Sequence, residues 1–162
     1  MTDHLSGLRH ELRTLVNHVL GFTDLLQAGI EGPHQEFLFY PLENVRVAMT
    51  EALAAGDTVF TAGTPEDEVR EAKRVLDDAL GRVGRELADL NERVSREGLD
   101  EVLVDLLRID FAARHAASLV NHPLVAARLA GSDAGLPPAA VKPWAQQEAG
   151  AWTRRATLDE MG

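Results

Sequence analysis

The chain has 162 residues, 45% of them hydrophobic and 26% charged, with no cysteine and a formal net charge of −10. That length allows one domain with a sizeable core but not two large ones, and that composition belongs to a globular chain, not a disordered one. The acidic balance speaks against nucleic acid, whose phosphates need a basic face, and the missing thiols exclude disulfides and thiolate chemistry.

Aromatic residues are only 5%, and the abundance of Ala, Leu, Val, Glu and Arg favours helix, in which such side chains lose little entropy. No apolar run is long enough to cross a bilayer, and Met1-Thr2-Asp3-His4 lacks the basic-then-apolar layout of a signal peptide. The expected location is therefore the cytoplasm, with no membrane partner. Lys73 and Lys142 are the two lysines among 16 basic residues, an arginine bias expected of a GC-rich bacterial genome.

The first predicted helix carries Leu5, Leu8, Leu12, Leu15, Val19, Phe22 and Leu26, which alternate in steps of three and four without a gap. Gly29 and the Gly32-Pro33 pair end it. A second seam follows in Leu38, Leu42, Val45, Met49, Ala52, Gly56 and Val59; Pro41 fits the first turn if this helix starts near Tyr40. Thr64 then suits an N-cap, with Pro65 in the first turn and Glu66, Asp67 and Glu68 at the positive end of the helix dipole.

The third helix is predicted from about Pro65 to Arg96 on Val69, Ala72, Leu76, Ala79, Val83, Leu87, Leu90 and Val94, with Gly98 at its end. The fourth runs on Leu99, Val102, Leu106, Ile109, Ala113, Ala116 and Val120, and Pro123 closes it. Four amphipathic helices with short connections predict an all-α antiparallel four-helix bundle over residues 1–123. Residues 124–162 form a C-terminal arm. In it Gly131-Ser132-Asp133-Ala134-Gly135 reads as a linker, and Pro137-Pro138 or Pro143 opens a short helix with Trp144 and Trp152. The two indoles either cover an exposed edge of the bundle or dock a partner.

The first helix also carries the chemistry. With Leu5, Leu12, Val19 and Leu26 at one heptad position, His10 and Asn17 fall opposite the seam, and Thr14 lies one turn beyond His10 on the same face. Gly21 continues the stripe. An ordinary solvated helix face carries Lys, Glu and Arg; this one is small and uncharged beyond the histidine, as close docking of another protein requires.

The segment Leu8 to Leu26, LRHELRTLVNHVLGFTDLL, resembles the H-box of the dimerisation and histidine phosphotransfer domain of sensor histidine kinases. The likeness rests on His10-Glu11-Leu12-Arg13-Thr14, with Asn17, Gly21 and Phe22 in register. Leu15 stands where that family usually carries proline. The stretch Leu106-Leu107-Arg108-Ile109-Asp110-Phe111-Ala112-Ala113, followed by Ser118-Leu119-Val120-Asn121, is similar to the second helix of such domains. The two middle helices have no counterpart in the usual hairpin.

The resemblance implies that His10 is a nucleophile whose neutral imidazole takes a phosphoryl group as a phosphoramidate and passes it to an aspartate of a response-regulator receiver. It implies that Glu11 hydrogen-bonds the other ring nitrogen, and that Thr14 orients a water during dephosphorylation of the regulator. Arg13, Asn17 and Gly21 would then form the docking surface for a receiver or a histidine kinase. An autokinase also needs an ATP-binding domain, and the stretch after Asn121 is too short for one and lacks its Asn-bearing helix and Gly-rich lid, so no autokinase activity is expected.

Two functions stay open: phosphotransfer through His10, or a non-catalytic bundle that docks a receiver or kinase, with regulator dephosphorylation as a narrower variant. No cofactor is expected. No His pair has convincing metal-ligand spacing, so no metal is expected either, and no phosphate loop or Ser-His-Asp order is visible. A homodimer around the first and fourth helices is compatible with the pattern.

Overall fold

Five helices and one 3-10 turn follow one another in the computed structural model, which describes residues 2–130: α1 Thr2–Ala28, the turn Glu36–Leu38, α2 Phe39–Val59, α3 Glu66–Glu97, α4 Asp100–Val120 and α5 Pro123–Ala130. No strand occurs among the described residues. The first four helices make the bundle. Each packs on its neighbours in the chain, and α1 meets α4 to close the ring.

Side-chain pairs show the antiparallel order. Going up α1, Arg13, Asp24 and Gln27 meet Asp57, Arg46 and Glu43 going down α2. Likewise Asn44 and Glu51 of α2 meet Glu86 and Arg82 of α3.

The apolar spacing explains which faces turn inward. Leu8, Leu12, Leu15, Val19 and Leu26 of α1 are buried as their alternation requires, Val16 widens the stripe, and Leu5 and Phe22 pack at its margin. Every member of the α2 seam is buried, Gly56 included. A Cβ on Gly56 would sit 2.3 Å from Leu12 Cδ2, so this glycine lets α1 and α2 approach closely. Thr23 is fully buried and satisfied, its hydroxyl donating to the Val19 carbonyl at 2.7 Å. Burying a single Leu or Val of this kind contributes roughly 1.5–3 kcal/mol, so these seams hold the bundle together.

The connections follow local chemistry, with two departures from expectation. Thr64 does not cap α3: its hydroxyl donates to the Thr61 carbonyl at 2.9 Å, and Pro65 occupies the cap position without a side-chain bond. The acidic first turn of Glu66, Asp67 and Glu68 is left to answer the helix dipole. Between α3 and α4, Gly98 takes φ 69°, and the N–H groups of Gly98 and Leu99 reach back to the carbonyls of Ser95 and Val94 at 3.3 and 3.2 Å. This pair of bonds ends the helix and reverses the chain within two residues.

The second departure is α5. Pro123 not only follows α4 but is the first residue of a further helix, a position where its missing N–H costs nothing. The boundary expected at residue 123 thus falls on the start of α5. This helix buries Val125, and Arg70 of α3 donates to the Leu129 carbonyl at 3.1 Å. The Gly131–Gly135 linker and the Trp144 and Trp152 helix lie outside the described residues.

Candidate phosphoacceptor face

His10, Thr14, Asn17 and Gly21 are all exposed and share the side of α1 turned away from Leu12 and Val19. The i, i+4, i+7, i+11 spacing stacks them along three turns. A Cβ on Gly21 would have no neighbour within 4 Å, so the stripe is open to a partner surface along its length. The Thr14 hydroxyl donates to the His10 carbonyl at 3.0 Å, a bond to its own helix that fixes its orientation one turn from the imidazole.

The other two candidate residues point sideways. Glu11 is one residue, and so about 100° of helix, away from His10. Its carboxylate faces α4, where Oε1 lies 3.6 Å from His115 Nε2. The His115 ring in turn packs edge-on against Phe111, with centroids 6.2 Å apart. Arg13 faces α2, where its Nη2 donates to Asp57 Oδ1 at 3.0 Å. His10 therefore stands between two lateral contacts that tie α1 to its neighbours on either side. Both pairs are well exposed, so their contribution is to orientation more than to stability.

The α4 side of this face is more apolar than the His10 stripe. Val104 and Phe111 are two turns apart on one stripe and both exposed, and Leu25 is exposed near the end of α1. Arg108 lies over the Phe22 ring at 5.8 Å. The resulting surface offers an exposed imidazole, a hydroxyl and an amide on one side of α1, and an apolar, aromatic flank with the Arg108 guanidinium on the other.

Sequence adjacency puts Glu11 beside His10, but it does not reveal His115 or Asp57 as the groups that meet Glu11 and Arg13. Asp57 follows from the bundle order: the antiparallel register that sets Asp24 against Arg46 and Gln27 against Glu43 brings Arg13 level with Asp57. His18 is exposed and His4 lies near the start of α1. Among the described residues no group of three His, Cys, Asp or Glu is placed to hold a metal ion. No helix there is long and apolar enough to cross a membrane.

No family model matches the chain, and neither does any curated protein or solved structure.

Proposed function

We propose that the chain is a histidine phosphotransfer protein of two-component signalling, acting in the cytoplasm, with His10 as phosphoacceptor and a response-regulator receiver as partner. The observation that carries this reading is the exposed imidazole of His10 heading a stripe of Thr14, Asn17 and Gly21, uncharged and open, on an otherwise charged molecule. A receiver must bring its phosphorylated aspartate within bonding distance of a ring nitrogen, and an uncrowded helix face allows that approach.

In the transfer, a lone pair on the neutral imidazole attacks phosphorus, a P–N bond forms, and the P–O bond to the aspartate breaks, which leaves a free carboxylate. The reverse step regenerates the aspartyl phosphate. The ring proton stays on the other nitrogen; Glu11, the acid next in sequence, would have to turn from His115 to steady the positive charge that develops there.

Incubation with a receiver phosphorylated at its aspartate should transfer label to the chain, and His10→Gln should abolish the transfer. Label that persists on His10→Gln disproves the assignment.

A second reading has its own support. The Glu11 carboxylate is engaged by His115 and the Thr14 hydroxyl by the His10 carbonyl, so both groups that would assist chemistry already serve the bundle. On this reading the same face docks a receiver or kinase without transfer. It requires that His10→Ala leave partner affinity intact while Gly21→Glu lowers it.

A further inference from the structure

One histidine outside the His10 stripe has surroundings that the others lack. His4, His10, His18 and His34 are exposed, and among the described residues none of them has a carboxylate within ion-pair reach. His115 of α4 is exposed too, with 47% of its side chain open to water, but its ring is held on two sides. Nε2 lies 3.6 Å from Glu11 Oε1 across the α1–α4 seam. Phe111, one turn earlier on α4, meets the ring nearly at right angles, with centroids 6.2 Å apart. Nδ1 has no hydrogen-bond partner among the described residues.

That arrangement assigns the two ring nitrogens different tasks. A neutral imidazole carries one N–H and one lone pair, and a carboxylate beside one nitrogen draws the proton to it. Glu11 thus favours the proton on Nε2 and leaves the lone pair on Nδ1. When Nδ1 attacks an electrophile, positive charge develops on the ring, and a carboxylate already against the opposite nitrogen steadies it without moving. His10 has no such support, because the acid next to it in sequence faces α4. Arg108 shares the α4 stripe of Phe111 and His115, two turns or about 10 Å away, and its exposed guanidinium draws anions toward that side.

We infer that His115 is a second phosphoryl acceptor, assisted by Glu11, for small donors that hold phosphorus on a good leaving group. With phosphoramidate, the Nδ1 lone pair attacks phosphorus and a new P–N bond forms. The old P–N bond breaks, and its electron pair leaves on nitrogen as ammonia, with the protons that nitrogen carried. The Nε2 proton stays on the ring beside Glu11 until water takes it. The site stands apart from the transfer proposed for His10, whose donor is a receiver.

Phosphoramidate alone, added to the full-length chain, is the probe, and peptide mass spectrometry at alkaline pH locates the phosphohistidines. His18 is the internal reference, an exposed imidazole on the same helix as Glu11. Early label on His115 should exceed that on His18 by about threefold or more, the scale that an exposed ion pair allows. Phosphorus–proton correlation spectra should place the first product on Nδ1. Glu11→Gln should bring His115 down to the rate of His18 and leave His18 itself unchanged. Helical circular dichroism should not change, since Glu11 and His115 are both about half exposed. High salt should narrow the ratio in the unaltered chain.

Equal early labelling of His115 and His18 would overturn the inference, as would an advantage that survives Glu11→Gln or a first product on Nε2. A receiver that fails to label His10 changes none of these outcomes, so the two acceptor assignments stand or fall separately.

Discussion

α1 and α3 are diagonal partners in the same bundle, and their buried faces obey the same rule while their outer faces do not. On α3 the outside is laced with ion pairs along the helix itself: Glu66 with Arg70, Glu71 with Arg74, Lys73 with Asp77 and Asp78 with Arg82. Arg74 holds the Glu71 carboxyl below its ordinary value of 4.5, chiefly by hydrogen bonding, and the bond that Arg82 donates to Glu51 of α2 raises the pKa of its guanidinium. On α1 no described ion pair joins two residues of the helix; its charges reach sideways to Asp57, Arg46 and His115. A long helix in water normally draws support from pairs three and four residues apart. One helix uses them, and its diagonal partner keeps an uncharged stripe around an imidazole, the stripe on which the proposed function rests.

If this contrast is confined to the outside, the cores beneath must cost alike. Leu12→Ala under the His10 stripe and Leu87→Ala under the α3 ladder should each lose about 2–5 kcal/mol in urea unfolding, since both side chains are almost fully buried. A much smaller loss at Leu12 would mean that α1 is held by something other than packing.

Gly56→Ala should come next, at about 1–3 kcal/mol in the same urea unfolding, because the added methyl meets the end of the buried Leu12 side chain, which must give way.

A substitution on the bare stripe separates the two helices most clearly. Gly21→Glu should change stability by no more than about 0.5 kcal/mol and still lower receiver affinity in a titration. Arg74→Glu on the ladder should leave that affinity untouched.

The smallest effect belongs to the ladder. Because the folded-state pKa of Glu71 is depressed, its stabilisation is present above the unfolded-state value and is lost as pH falls through the folded one. Glu71→Gln should therefore melt slightly below the unaltered chain at pH 7. The gap should close at pH values below the carboxylate range, and at high salt at any pH, in paired thermal melts.

Much of this was legible from residue order. The second seam, from Leu38 at the end of the 3-10 turn to Val59 of α2, is buried residue for residue, because a heptad repeat is a direct statement of which side faces the core. The exposure of His10, Thr14, Asn17 and Gly21 follows from the same arithmetic. What escaped it depended on tertiary partners or on one residue having two uses. Pro123 reads as a stop after α4 and serves as the start of α5. Thr64 has the right chemistry for a cap, but the tight turn offers its hydroxyl the Thr61 carbonyl first. Asp110 looks like one more surface acid in α4, yet it is buried in the folded bundle. Glu11 adjoins His10 along the chain, yet the helix turns its carboxylate to another element.

The two-residue reversal at Gly98 also bears on the order in which the bundle assembles. α3 and α4 are joined by the shortest loop and so form the pairing with the least entropy to overcome, whereas α1 must find α4 across the whole intervening chain. During synthesis α1 emerges ahead of the other three bundle helices and its α4 neighbour is the last of the four. Until then only α2 shelters its apolar stripe. Amide hydrogen exchange should accordingly find α1 opening in a smaller unit than the α3–α4 hairpin, with protection in α1 lost first as the bundle is destabilised. The helix that bears His10 is in this sense the last wall to be closed and the first to give way.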